Sequence, residues 1–399
     1  METRDDDSPR LRARLLAAPR YRGHSYGDNH PLGIPRVSLT IDLIEAFDAI
    51  TEAEREDVRA ALPGELEWFH SADYIDALRG AERFGKVFQR WRDRYNFGNF
   101  ENPYLPDMYA TPATATFASI LGAEHVLGGA IAFNPAGGMH HARASRAQGF
   151  CYLNDPALGI LRLRQAGMRV LYLDLDVHHG DGVEIAFADD PEVLTMSIHM
   201  DTESAYPFGG GRIEDVGRLG NAVNVPLPPG TGDRGYDMAF SAVWPEVVER
   251  FGADVIVLQA GTDAIFADPL GRFELTTQMF LSLVQRVIHA APRHRQGAAA
   301  GVPRLLVLGG GGYHPLILAR AWAGLWALIS GRCLPEAIPQ AGQALLRAVD
   351  WDQDEDEPWF DTLFLSRLDR PMPPEARAVL ADIEARIERL LDTHPLWNR

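Results

Sequence analysis

Cysteine is nearly absent from the 399-residue chain, which holds only Cys151 and Cys333. Two thiols cannot build a disulfide framework, and neither has a second cysteine nearby with which to form a thiolate metal site, so the chain fits a reducing compartment. Long apolar runs are missing too. The opening METRDDDSPRLRARLL has no apolar core and no small-residue cleavage site, and no later stretch approaches the roughly 18 uninterrupted apolar residues of a membrane span. A cytoplasmic location with no membrane partner is the expectation. Basic charge is in deficit: 38 Lys and Arg stand against 55 Asp and Glu, a formal net charge of −17. That balance argues against direct nucleic-acid binding and mildly favours cationic partners, although solubility alone accounts for such a total. There is no internal repeat and no low-complexity tract, and whether the chain forms a homo-oligomer is left open.

What is present is globular material, 46% hydrophobic and 23% charged, enough for one large α/β domain or two smaller ones. Apolar runs rich in β-branched residues occur at 170–177 (VLYLDLDV), 193–198, 255–260 and 305–310, with helical patterns at 156–166, 235–251, 276–291 and 315–329. Strands alternating with helices predict parallel βαβ units, hence a single α/β domain with a mostly parallel central sheet flanked by helices. The first 110 residues read as mostly helix and loop. A charged amphipathic helix is expected from about residue 372, after the acidic loop at 350–361. Ligands of such sheets gather beyond the carboxyl ends of the strands, so the residues just after each apolar run carry the functional information.

Four stretches there bear chemistry. LYLDLDVHHGDGVE (171–184) alternates like a buried strand, yet carries Asp174, Asp176, His178, His179 and Asp181. Its period of two puts Asp174, Asp176 and His178 on one side and Leu173, Leu175 and Val177 on the other. VLQAGTDAIFADPLG (257–271) ends another strand in acid, at Asp263 and Asp268. Two carboxylates and an imidazole converging there would form a hard ligand set with an open position, as a catalytic zinc site requires. Each aspartate alone is more often a cap or turn former, and Asp181 could simply cap the following helix. Clustering weakens that reading, because several buried ionisable groups each need a partner. Upstream, GGMHHARASRAQGFCYLND (137–155) offers the tandem His140 and His141, which suits His-Asp pairs. LGGGGYHP (308–315) ends a strand in four glycines and Tyr313, without the lysine of a phosphate loop. Spacing alone does not say which acid serves a metal and which a histidine, since Asp174 and Asp176 point the same way.

Taken together, these segments resemble the zinc-dependent histone deacetylase family, which also holds acetoin-utilisation proteins and acetylpolyamine amidohydrolases. The resemblance spans roughly residues 20 to 330, with YGDNHPLGIPR and FHSADYIDAL adding support near the N-terminus. It implies a catalytic domain over 20–345, with the acidic loop and C-terminal helix of 346–399 packed on or extending it. By position it implies Asp176, His178 and Asp268 as ligands of one zinc, His140 paired with Asp174, His141 paired with Asp181, and Tyr313 as the catalytic tyrosine. Gly149 and Phe150, faced by Tyr206 where the family usually has phenylalanine, would line a narrow channel with Gly311, and Glu101 lies near the family's rim acid. Arg36 would belong to an internal pocket, and His179 would be structural. A potassium ion is implied at Asp174 and carbonyls near Asp176, His178, Ser197 and Ile198. The implied reaction is hydrolysis of an acyl amide on an acylated lysine side chain, with an acetylated polyamine as the alternative substrate. GFCYLND, with Tyr152 and Asp155, sits closer to the lysine and acetoin branch.

Two other readings compete. A binuclear manganese ureohydrolase needs paired DxHxD and DxDxxDP stretches, whereas Asp268 is followed by Pro269 outside that pattern. A non-catalytic scaffold of the same fold would be expected to lack a ligand or the tyrosine.

Overall fold

The computed structural model describes residues 12–27, 29–351, 362 and 374–398. Eight strands form one sheet, all parallel: β1 Ala13–Ala17, β2 Arg55–Asp57, β3 Ile131–Asn134, β4 Val170–Asp174, β5 Val193–Met200, β6 Ala222–Leu227, β7 Val255–Gln259 and β8 Leu305–Leu308, in the order β2-β1-β3-β8-β7-β4-β5-β6. Parallel neighbours need crossovers; helices supply most of them, on both faces, while β5 and β6 are joined by the loop 201–221, and cover on both faces is why the central strands are apolar throughout rather than alternating. Period two still sorts the side chains. Leu171, Leu173, Ile256 and Leu258 join the larger core with the helices Asp233–Phe251, Thr277–Ala290 and Pro315–Ser330. Tyr172, Val170, Val255 and Val257 face the helices Ala110–Leu127 and Asp155–Gln165.

The four strands read from the sequence are present with slightly shorter or longer ends, as are the four helices. The described part of the first 110 residues is mostly helix and loop, as read, but it also holds the strands β1 and β2. Both are short, and β2 (Arg-Glu-Asp) is a partly exposed edge strand with no apolar alternation to reveal it. The other edge, β6, contains Pro226, a residue sheets tolerate at an edge.

The C-terminal helix runs Arg377–Thr393 and buries Ile383, Ile387 and Leu390 in the larger core. Just before it, the Glu375 carboxylate accepts the backbone N–H groups of Gly232, Arg234 and Gly235 at the start of the helix Asp233–Phe251. Of the acidic loop, residues 352–361 lie outside the described residues. Among the described residues, no helix is long and apolar enough to cross a membrane.

Candidate active site and metal centre

Because every strand runs the same way, the carboxyl ends of β3, β4, β7 and β8 deliver their following loops to one edge of the sheet. β4 ends at Asp174, and the chain turns at once. Asp174 Oδ1 accepts the Asp176 N–H at 3.1 Å, and Asp176 Oδ1 accepts the His178 N–H at 3.0 Å. This turn sends the two acids to different partners. Asp174 Oδ2 accepts from His140 Nδ1 and from the Tyr172 hydroxyl, both at 2.8 Å. Asp176 faces His178 and, through Oδ2, accepts the Gly311 N–H at 2.6 Å.

His178 Nδ1 lies 3.1 Å from Asp176 Oδ1 and 3.0 Å from Asp263 Oδ2. Asp176, His178 and Asp263 are buried, and one ligand atom from each falls within 4.8 Å of the others. Two carboxylates this close repel each other away from water, and burial together with Asp176 pushes the Asp263 carboxyl up to about 6. A divalent cation relieves that repulsion, and two oxygens with one imidazole nitrogen form a set suited to zinc. Glycine is required beside it: a Cβ at Gly311 would sit 2.0 Å from Asp263 Oδ2.

The assignment of Asp268 is therefore corrected. Its Oδ1 accepts the N–H groups of Leu270 (2.9 Å) and Gly271 (3.1 Å), and its Oδ2 accepts the Tyr313 N–H at 2.7 Å. The carboxylate closes a turn and holds the tyrosine's backbone, while Asp263, four residues beyond the end of β7, reaches the cluster. Burial and the nearby Asp263 raise Asp268 to about 7.

The tandem histidines are both buried. His141 Nδ1 contacts Asp181 Oδ1 at 2.7 Å, and the two Nε2 atoms face each other at 3.0 Å. Each Nδ1 is held against a carboxylate, which turns both Nε2 atoms toward the same side. Burial opposes charge on both rings. At His140 the field of Asp174 and Asp176 overcomes it and raises the ring to about 9. At His141 burial and the charge on His140 lower the ring to about 3, leaving it neutral. Asp181 is not a cap, since the helix Asp181–Ala186 has no side-chain cap; it also takes Gln148 Nε2 at 2.8 Å and an ion pair from Arg143. Arg143, Gln148 and Tyr172 are contributors that sequence reasoning missed, because none carries a spacing signal of its own.

Tyr313 follows β8 through the glycine run, with Gly310 and Gly312 at φ 116° and 128°. Its ring stands edge-on to His178 at 6.4 Å and to Phe150 at 6.1 Å. Burial, with Asp263 and Asp176 nearby, keeps its phenol protonated and thus a donor. The Tyr206 ring meets His141 edge-on at 4.8 Å, and Glu101 Oε1 accepts the Gly149 N–H. Ser197 pairs in register with Asp174 across β5 and β4, and Ile198 follows it in β5. His179 turns away, to Glu184 at 3.0 Å. Arg36 donates to the Gly310 carbonyl and lines a cavity of about 70 Å³ with Tyr21, Tyr26 and Tyr152.

A family model described as the histone deacetylase domain matches residues 30–329. The chain belongs to the histone deacetylase family. It is 37% identical over 319 residues to Histone deacetylase 8 of Xenopus tropicalis, covering 78% of this chain and 83% of that one. To the acetoin utilization protein AcuC of Bacillus subtilis it is 33% identical over 324 residues, 79% and 82% of the two chains. The crystal structure of a histone deacetylase homologue from Aquifex aeolicus matches with a TM-score of 0.87 at 38% identity, over 95% of this chain and 99% of that one. A structure of a histone deacetylase homologue complexed with SAHA gives the same values. As a member of this family of hydrolases, the chain is a deacetylase acting on an amide, in the single-domain all-parallel α/β fold described above.

Proposed function

We propose that the chain is a zinc-dependent deacetylase of acyl-lysine side chains, releasing acetate or another short carboxylate and a free amine. The observation that carries this reading is the convergence of Asp176, His178 and Asp263 beside two His-Asp pairs and Tyr313. One zinc held by those three residues would polarise the acyl carbonyl and lower the pKa of water from about 15.7 toward 7. The protein's own groups do the rest. His141, steadied by Asp181, takes the proton of the attacking water at Nε2 and returns it to the departing amine. His140, anchored on Asp174 and raised to about 9, is positively charged and favours the negative charge that develops beside it. Tyr313 donates its hydroxyl to the tetrahedral oxygen. Gly149, Phe150 and Tyr206 form the walls past which the acyl chain reaches these groups. Asp174, with Ser197 opposite it in register, supports a potassium site at the carbonyls of residues 176, 178 and 198.

The test is a turnover panel of acetyl-lysine peptides, longer acyl-lysines and acetylated polyamines, with metal content measured on the same preparation. Turnover on acyl-lysine with one zinc per chain supports the reading. Turnover confined to polyamines, or the absence of both zinc and turnover, overturns it.

A further inference from the structure

Glu101 stands where three separate segments of the chain meet. Its Oε1 accepts the Gly149 N–H at 2.6 Å from one wall of the channel and the Tyr206 hydroxyl at 2.9 Å from the other. Its own loop is braced by Asn96, whose side chain donates to the Ala147 carbonyl at 3.0 Å and whose carbonyl accepts from Asn102 Nδ2 at 3.0 Å. Glu101, Gly149, Phe150 and Tyr206 are partly exposed, whereas His141 and Tyr313 behind them are 5% and 7% exposed. The bridge therefore lies at the mouth, outside the catalytic groups.

The two walls differ in how firmly they are set. Gly149 is fixed: its φ is +55°, and a Cβ there would strike the His141 ring at 2.4 Å. Tyr206 rides on the segment 201–212, where Phe208, Gly210 and Gly211 all take positive φ and Phe208 is 73% exposed. The segment is held before Tyr206, where Ala205 is buried and Arg272 donates to the Ser204 carbonyl, but it turns out into solvent just after it, so the Tyr206 ring needs a tether of its own to hold a defined position. The hydrogen bond to a carboxylate already fixed by Gly149 supplies one, and a charged acceptor makes it stronger than a neutral bond.

Building on the deacylase reading above, we propose that Tyr206 is a specificity-determining residue: its hydroxyl, through Glu101, ties the two walls together and fixes the width of the mouth. A mouth held this way passes a slender acyl group on an unbranched amine chain and impedes a branched one. The bond is a contact of this chain with itself, so its effect falls on which substrates enter and not on the chemistry at the metal.

Tyr206→Phe keeps the ring against His141 and deletes only the donor. Two measurements on the full chain read the result. Hydrogen exchange of the segments 96–103 and 201–212 is expected to speed up by about tenfold in the variant. The ratio of kcat/KM for an isovaleryl-lysine amide to that for the acetyl-lysine amide is expected to rise by about fivefold or more. Glu101→Ala should reproduce both changes without adding to those of Tyr206→Phe, and Glu101→Gln, which keeps an acceptor oxygen for both donors, should restore much of the native ratio. Unchanged exchange in Tyr206→Phe overturns the tether; faster exchange with an unchanged ratio overturns its role in specificity. If the native enzyme turned over neither amide, the deacylase reading would fall, while the exchange measurement would still decide the tether.

Discussion

Removing the Tyr313 hydroxyl tests the site at its smallest scale. A phenol that donates to the developing oxyanion contributes on the order of 10²-fold to 10³-fold in rate, so Tyr313→Phe should lose turnover by about that factor while its metal content, measured by mass spectrometry, stays native. His141→Ala should behave alike, since the ring is neutral, buried and aimed by Asp181; near-native rates in either variant would refute these roles. The two acids after β7 separate by a different readout. Asp263→Asn removes one of three clustered ligand atoms and should release metal on dialysis. Asp268→Asn should keep the metal and lose activity, because its carboxylate holds the Tyr313 backbone. Equal metal loss in both variants would contradict the arrangement. The sequence showed both acids but not their directions, which depend on how the chain turns between residues 263 and 268.

At the scale of elements, the helix Asp233–Phe251 begins without a side-chain cap of its own, and Glu375 provides three acceptor contacts from far along the chain. Glu375→Ala leaves those N–H groups unpaired near the positive end of the helix dipole, at a cost of about 1–2 kcal/mol. A lower urea midpoint, with proteolysis appearing first near residue 375, would show that the C-terminal segment is held from this point; an unchanged midpoint would show that Ile383, Ile387 and Leu390 suffice. Periodicity made the central strands and their helices legible, because burial on both faces leaves long apolar runs. It missed β1 and β2, where the chain is short and the edge strand is half solvated, and it could not foresee a cap supplied from 141 residues away.

Across the whole molecule, buried neutral histidines contribute to the loss of stability in acid. His70 Nε2 accepts the Asn154 N–H at 3.0 Å and Nδ1 lies 3.3 Å from the Ala144 carbonyl, so the ring must stay neutral, and burial lowers it from 6.5 to about 4. A base with a depressed folded pKa gives its full stability above the unfolded value. As the pH falls from 6.5 toward 4, the unfolded chain takes up the proton first and stability declines, by about 3 kcal/mol in all from this residue. His199 and His314, both lowered by burial, act in the same sense. His70→Gln, which offers an acceptor and a donor without titrating, should flatten the urea-derived stability profile between pH 6.5 and 4 by close to one proton. An unchanged slope would mean that His70 does not set it.

The sequence by itself determined the parallel α/β class, the family and the residue types at the strand ends, because buried parallel strands and clustered ionisable groups leave local patterns. Only the tertiary structure decided which acid meets which partner. Asp174 and Asp176 share a face by period two, and it is the turn after β4 that parts them; Asp263 displaces Asp268 from the metal cluster because Asp268 is spent on a turn and on Tyr313. The Tyr206–Glu101–Gly149 bridge joins residues from three distant segments, and no local pattern could encode that meeting.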